Sequence, residues 1–186
     1  TYPLNRPFFV LATQNPIEQE GTYPLPEAQL DRFMFNIYID YPSQSDERQI
    51  VMSTTSAYEP TLNSVTNSDE IIRIQQVVRK VPVAESVVDF AVALTRLSRP
   101  SNPDAPDFIK NWVNWGAGTR ASQYMILGAK ARAVMHGRYH VTYDDVKSIA
   151  KPVLRHRILT NFNAEADEIT SLEIIEKLLE LNLEGH

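Results

Sequence analysis

The apolar and polar positions divide the chain into a short strand-like front and a long helical remainder. Phe8-Phe9-Val10-Leu11-Ala12-Thr13 is a continuous apolar run, which predicts a strand buried on both faces of a parallel sheet over 8–13. Residues 33–39 alternate, with Phe33, Phe35, Ile37 and Ile39 on one side and Met34, Asn36 and Tyr38 on the other, which predicts a half-buried strand. Between them Pro24 and Pro26 introduce a short helix around Glu27–Asp31. After Tyr41-Pro42-Ser43 the period becomes helical. Ser43 or Ser45 can cap a helix through Arg48–Met52, and Ser68-Asp69-Glu70 can cap the next one after a polar loop from Thr54 to Asn67.

A further helix is expected after Pro82, with Val87, Phe90, Ala91, Leu94 and Leu97 at helical spacing and Pro100 as its stop. Residues 100–106 read as a loop, and Trp112–Gly118 as a short extended turn. A long helix starts after Thr119, with Tyr124, Leu127, Ala131, Val134 and Met135 as its expected buried face, and ends near Gly137. Thr142 and Asp145 stand at reciprocal capping positions flanked by Val141 and Val146, a candidate hydrophobic staple. Pro152 should kink or break that helix, and a last amphipathic helix runs from about Ser171 to Leu181. Two strands up to about residue 42 are thus followed by an all-helical bundle.

Composition narrows the function classes. The 186 residues are 43% hydrophobic and 22% charged, ordinary for a globular protein able to bury a core. A net charge of −5 and a pI near 5.4 weigh against a general nucleic-acid or anionic-membrane binder. There is no cysteine, which excludes disulfides and thiolate metal sites. No run approaches the roughly 20 apolar residues of a membrane span. His136 and His140 are set too irregularly for a metal site, so no metal ligand is expected. The start, Thr1–Pro7, lacks a signal-peptide layout and an initiator Met and reads as the middle of a longer polypeptide, and 184–186 reads as a tag remnant.

Three polar residues can carry chemistry. Asn15 follows the apolar run, at the carboxyl end of the expected strand, where α/β proteins bind ligands; capping a turn before Pro16 is its alternative use. Arg32 is a permanent planar cation that can neutralise a transferring phosphoryl group, or else pair with Asp31 or Glu27. Asp31 itself suits an orienting or structural role. Arg120 sits in Gly116-Ala117-Gly118-Thr119-Arg120, on the first turn of the long helix, where the dipole opposes a cation unless an anion is near; a solvated arginine is the alternative. Arg155-His156-Arg157 is a basic cluster expected to pair with helix-end carbonyls, and Trp112, Trp115 and Tyr124 are expected in the core.

The strings Ala12-Thr13-Gln14-Asn15-Pro16 and Leu25-Pro26-Glu27-Ala28-Gln29-Leu30-Asp31-Arg32-Phe33 together resemble the MoxR family of AAA+ ATPases. The resemblance implies residues 1–42 as the carboxyl-terminal part of an AAA+ P-loop α/β core with its last two strands, and residues 43–183 as an all-α helical lid. It implies Asn15 as the γ-phosphate sensor 1, Arg32 as an arginine finger acting on the neighbouring subunit, and Arg120 as sensor 2 of the lid. ATP and Mg2+ are the implied cofactors. The implied setting is a cytoplasmic homo-oligomer, a hexameric ring, that remodels client proteins, among them proteins with von Willebrand factor type A domains. No Gly-x-x-x-x-Gly-Lys-Ser/Thr occurs in these 186 residues, so this segment alone is expected to be inactive, with its first 40 residues disordered, re-paired or stabilised by another copy. Two alternatives stay open: a non-catalytic interaction module, and a magnesium-chelatase-type or helicase-loader relative.

Overall fold

The computed structural model describes residues 2–14, 25–57, 61–181 and 183. Its helices are α1 (Glu27–Leu30), α2 (Gln44–Thr54), α3 (Ser68–Lys80), α4 (Glu85–Leu97), α5 (Asp107–Trp112), α6 (Thr119–Met135), α7 (Tyr143–Leu154), α8 (Phe162–Ala166) and α9 (Ser171–Leu179). Two short strands, β1 (Val113–Trp115) and β2 (Leu159–Thr160), pair antiparallel with a bulge between Val113 and Trp115.

The caps fall close to their sequence signals. Ser43 caps α2 by accepting from the Asp46 amide at 3.3 Å. Asn67, not Ser68, caps α3, in a reciprocal box with Glu70. Asn is at least as good an N-cap as Ser, and the register shifts by one residue so that Glu70 occupies the third helical position. The Asp145 carboxylate accepts from both the backbone N–H and the hydroxyl of Thr142 at 3.0 Å, and Val141 and Val146 are buried beside it. Gly137 ends α6 at φ +68, with its N–H donating to the Val134 carbonyl and the Arg138 N–H to that of Ala133. A residue with a Cβ is strained there.

The core lies among α4, α6, α7 and α9, built from Phe90, Leu94, Met125, Val146, Val153, Leu154, Ile174, Ile175 and Leu178. α6 packs on α7, α4 and α3. Its buried face is not the one that the large side chains predict: Ala121, Ser122, Met125, Gly128, Ala129 and Ala133 are buried, whereas Met135 is 84% exposed. Small residues let the helix axes approach. A Cβ on Gly128 would stand 2.8 Å from Ile149 Cγ2 and 3.2 Å from Phe35 Cζ. Trp112 packs against the core and donates from Nε1 to Asp167 at 2.8 Å, but Trp115 is 70% exposed, on the short β1 rather than inside. α5, which the Pro-rich pattern concealed, starts at Asp107 after the N-cap Pro106 and buries Ile109. Pro152 sits in the last turns of α7 without ending it, since the helix runs on to Leu154.

The two strands expected at 8–13 and 33–39 do not form: among the described residues the only ladder is β1–β2. An isolated strand has no partner for its peptide groups. The 33–36 segment finds other partners, with Asn36 N–H donating to the Pro152 carbonyl at 2.9 Å and Phe35 seated over Gly128. Phe8, Phe9, Val10 and Leu11 are exposed.

Candidate functional site

The loop that launches Arg120 is fixed by the end of α4. Ser98 and Thr95 are buried there; Ser98 Oγ donates to the Thr95 carbonyl at 2.7 Å and accepts from the Ala117 amide at 2.9 Å. Arg99 Nε donates to the Ala117 carbonyl at 2.8 Å, and Ser122 and Thr95 share a hydroxyl contact at 2.9 Å. Gly116 lies flat on this helix end: a Cβ would stand 2.3 Å from the Ser98 carbonyl oxygen and 2.7 Å from Arg99 Cα. Those are backbone atoms that cannot rotate away. Gly116→Ala is therefore expected to destabilise the fold by about 3 kcal/mol through overpacking, measured by urea unfolding; a loss below about 1 kcal/mol would show that this loop is not held against α4.

Arg120 then emerges on the first turn of α6 and pairs through Nη1 with Oδ2 of Asp31, which ends the short α1. The other oxygen, Oδ1, accepts from Arg157 Nε at 2.8 Å. Burial pushes the Asp31 pKa up, but the hydrogen bonds and charges of Arg157 and Arg120 outweigh it and hold the carboxyl below its usual range. Asp31 is thus an acceptor shared by two arginines, which takes from Arg32 the partner beside it in sequence. Arg32 is exposed and has no carboxylate partner among the described residues.

The backbone around Arg32 is held carbonyl by carbonyl. Arg157 Nη2 donates to the Asp31 carbonyl at 2.8 Å and to the Phe33 carbonyl at 2.6 Å, and Nη1 reaches the Met34 carbonyl at 3.4 Å. Tyr124 Oη donates to the Arg32 carbonyl at 3.1 Å. His156 Nε2 lies 3.2 Å from the Phe33 carbonyl, which requires the proton on Nε2. Burial, then the neighbouring Arg157 charge, lowers the His156 pKa to about 4, so the ring is neutral near pH 7. Arg157 also donates to the Val153 carbonyl of its own helix end and lies over the Tyr124 ring, 5.2 Å from its centroid. Its neighbour Arg155 covers the Tyr38 ring at 4.4 Å.

The Arg155–Arg157 cluster does pair with carbonyls, as helix-end chemistry suggests. Most of those carbonyls, however, belong to residues more than a hundred positions away, and no local signal locates them. Tyr124 lies on α6 with one end packed and its hydroxyl on this segment. Arg120 pairs with Asp31 and Arg32 follows Asp31 in sequence, whereas Asn15, with Glu18, Glu20 and Gly21, lies outside the described residues. The Arg120 guanidinium already binds a carboxylate, and the same planar donor fork fits phosphate oxygens. Among the described residues no three His, Asp or Glu side chains gather as a metal site would need.

Residues 1–35 match the family described as "ATPase family associated with various cellular activities (AAA)", and residues 109–178 match the AAA lid domain. The chain is 38% identical to Chaperone MoxR1 of Mycobacterium tuberculosis over 97% of its own length and 48% of that protein. It is 34% identical to YeaC of Bacillus subtilis, over 96% of this chain and 53% of YeaC, and 27% identical to Protein MoxR of Paracoccus denitrificans, over 80% and 47%. It thus spans about half the length of the curated relatives it matches. A crystal structure of an inferred ATPase from Cytophaga hutchinsonii superposes with a TM-score of 0.89 at 36% identity, over 97% of this chain and 56% of that one.

Proposed function

Because this chain belongs to the MoxR family of AAA+ ATPases, we propose that its parent polypeptide hydrolyses ATP at subunit interfaces of a cytoplasmic ring, a hexamer, and uses the cycle for chaperone-like maturation of client proteins. Proteins with von Willebrand factor type A domains are the proposed clients or partners. Residues 1–42 belong to the α/β core in this reading, and residues 43–183 form the lid.

Arg32 projects towards the nucleotide of the neighbouring subunit and neutralises charge on the transferring phosphoryl group. Arg120 exchanges the Asp31 carboxylate for phosphate oxygens of its own subunit's nucleotide. The exchange leaves the segment in place, because Arg120 and Arg157 use different oxygens of Asp31. Asn15 orients the attacking water through its amide, which can donate and accept. Bound ATP supplies the phosphoanhydride; Mg2+ takes its ligands from outside the described residues.

One observation carries the reading: Arg32 is an exposed permanent cation without a carboxylate partner among the described residues, on a backbone whose four consecutive carbonyls, from Asp31 to Met34, accept from side chains of the helical part. A surface arginine with no task needs no such mounting.

The test is steady-state ATP turnover of the full-length polypeptide across protein concentration. Turnover per subunit is expected to rise with concentration as interfaces form. Absence of both turnover and nucleotide binding would favour the interaction-module alternative.

A further inference from the structure

A guanidinium as buried as that of Arg157, with its side chain 1% exposed, persists only if its charge is neutralised and its N–H groups are partnered. Desolvation lowers its pKa, yet an arginine stays charged in any environment a protein offers. Asp31 supplies the neutralising carboxylate, which it shares with Arg120. The remaining contacts are the informative ones. Apart from one bond to the Val153 carbonyl of its own helix end, they go to main-chain carbonyls on both sides of Arg32: Asp31 before it, Phe33 and Met34 after it. Tyr124 takes the carbonyl of Arg32 itself, and His156 doubles the contact to Phe33. An arginine serving only to tie two elements together would not bracket one residue in this way. Bracketing fixes the Arg32 Cα and leaves its side chain free.

We propose that Arg157 is a positioning residue for the phosphoryl-transfer site: it holds the 31–34 backbone on the end of α7, so that a movement of the helical part carries Arg32 with it. The inference rests on the reading of Arg32 as a trans-acting finger and deepens it. Arg157 touches no nucleotide and acts through Arg32, and Tyr124 and His156 assist through the same carbonyls.

The test compares Arg157→Lys and Arg157→Met in the full-length protein. Lysine keeps the charge and the aliphatic stem but loses the fork, so a Lys variant that melts like wild type carries the test where Met does not fold. The value of kcat is expected to fall by about tenfold or more, since misplacement of an aligned group is costly, with KM for ATP within about twofold. In an Arg32→Ala background the same substitution should lower kcat by no more than about twofold, because the residue it positions is gone. An equal loss in both backgrounds overturns the proposal and leaves Arg157 a merely structural residue.

Hydrogen exchange gives a second readout. The Phe33 and Asn36 amides should exchange about tenfold faster in the variants while α4 and α6 stay protected. If Arg32→Ala leaves turnover intact, the finger reading fails, yet faster exchange still supports the clamp. Unchanged exchange at Phe33 and Asn36 overturns the clamp whatever the kinetics.

Discussion

Replacing Arg32 with alanine in the full-length protein is expected to cut ATP turnover by about 10³-fold or more, with ATP affinity within about twofold of wild type. The split follows from the geometry. Arg32 makes no ion pair in its own chain among the described residues, so its loss costs the fold little. Acting on the neighbour's nucleotide, it would contribute where charge develops rather than where ground-state ATP is held. Steady-state kinetics beside equilibrium binding of a fluorescent ATP analogue would check this. An equal loss of both would place Arg32 in ground-state binding.

The second large effect concerns stability. Asp145 is buried, its side chain 1% exposed, yet it accepts two bonds from Arg138, one of them at 2.6 Å, and two from Thr142, with Arg132 Nε at 3.4 Å. It closes the joint where α6 ends, Gly137 reverses the chain and α7 begins. Asp145→Ala removes the cap of α7 and a bidentate pair together, for an expected loss of about 3 kcal/mol. In thermal unfolding this is a fall of about 10 °C. The Arg138 hydrogen bonds chiefly lower the Asp145 pKa, from 3.8 to about 2.

The sign follows. A carboxyl that protonates less readily when folded stabilises the fold above its unfolded pKa, and that stability drains away as pH falls from about 4 towards 2. His156 acts in the same direction at milder pH. Its folded pKa of about 4 lies below the ordinary 6.5, so the unfolded chain binds the proton first and stability declines from about pH 6.5 down to 4. Urea unfolding at several pH values should therefore show two descending steps, and Asp145→Ala should shrink the more acidic one, to which Asp31 also contributes, and leave the milder one in place. A more acidic step surviving unchanged in the variant would contradict the assignment.

Much of the fold is legible in the residues because caps and stops are local. Ser43, Thr142 with Asp145, Gly137 and the Val87–Leu97 spacing each act within a few positions, and each marks the element it predicts. The errors arise where a distant partner decides. Large side chains mark a helix face only if the neighbouring helix leaves room for them. α6 meets Ile149 of α7 across Gly128 and buries Ala129 and Ala133, whereas Met135 is left outside. The alternation of Phe33–Ile39 is real, but a strand needs a ladder, and here the carbonyls of Phe33 and Met34 go to Arg157 and His156. Arg32 and Arg120 stand out by motif alone. That Arg120 shares the Asp31 carboxylate with Arg157, and that Arg157 brackets Arg32, required the folded chain.

The central claim is that Arg32 acts across a subunit interface, and complementation tests it most directly. Full-length Arg32→Ala subunits, which keep Arg120, are mixed with Arg120→Ala subunits, which keep Arg32, under conditions that allow exchange. If the finger acts in trans, an Arg120→Ala subunit lends its Arg32 to a neighbour whose nucleotide is properly held. Turnover of the mixture should then clearly exceed the mean of the two variants measured alone. Turnover equal to that mean, with subunit exchange verified, would mean that both arginines serve the same subunit's nucleotide and would contradict the account.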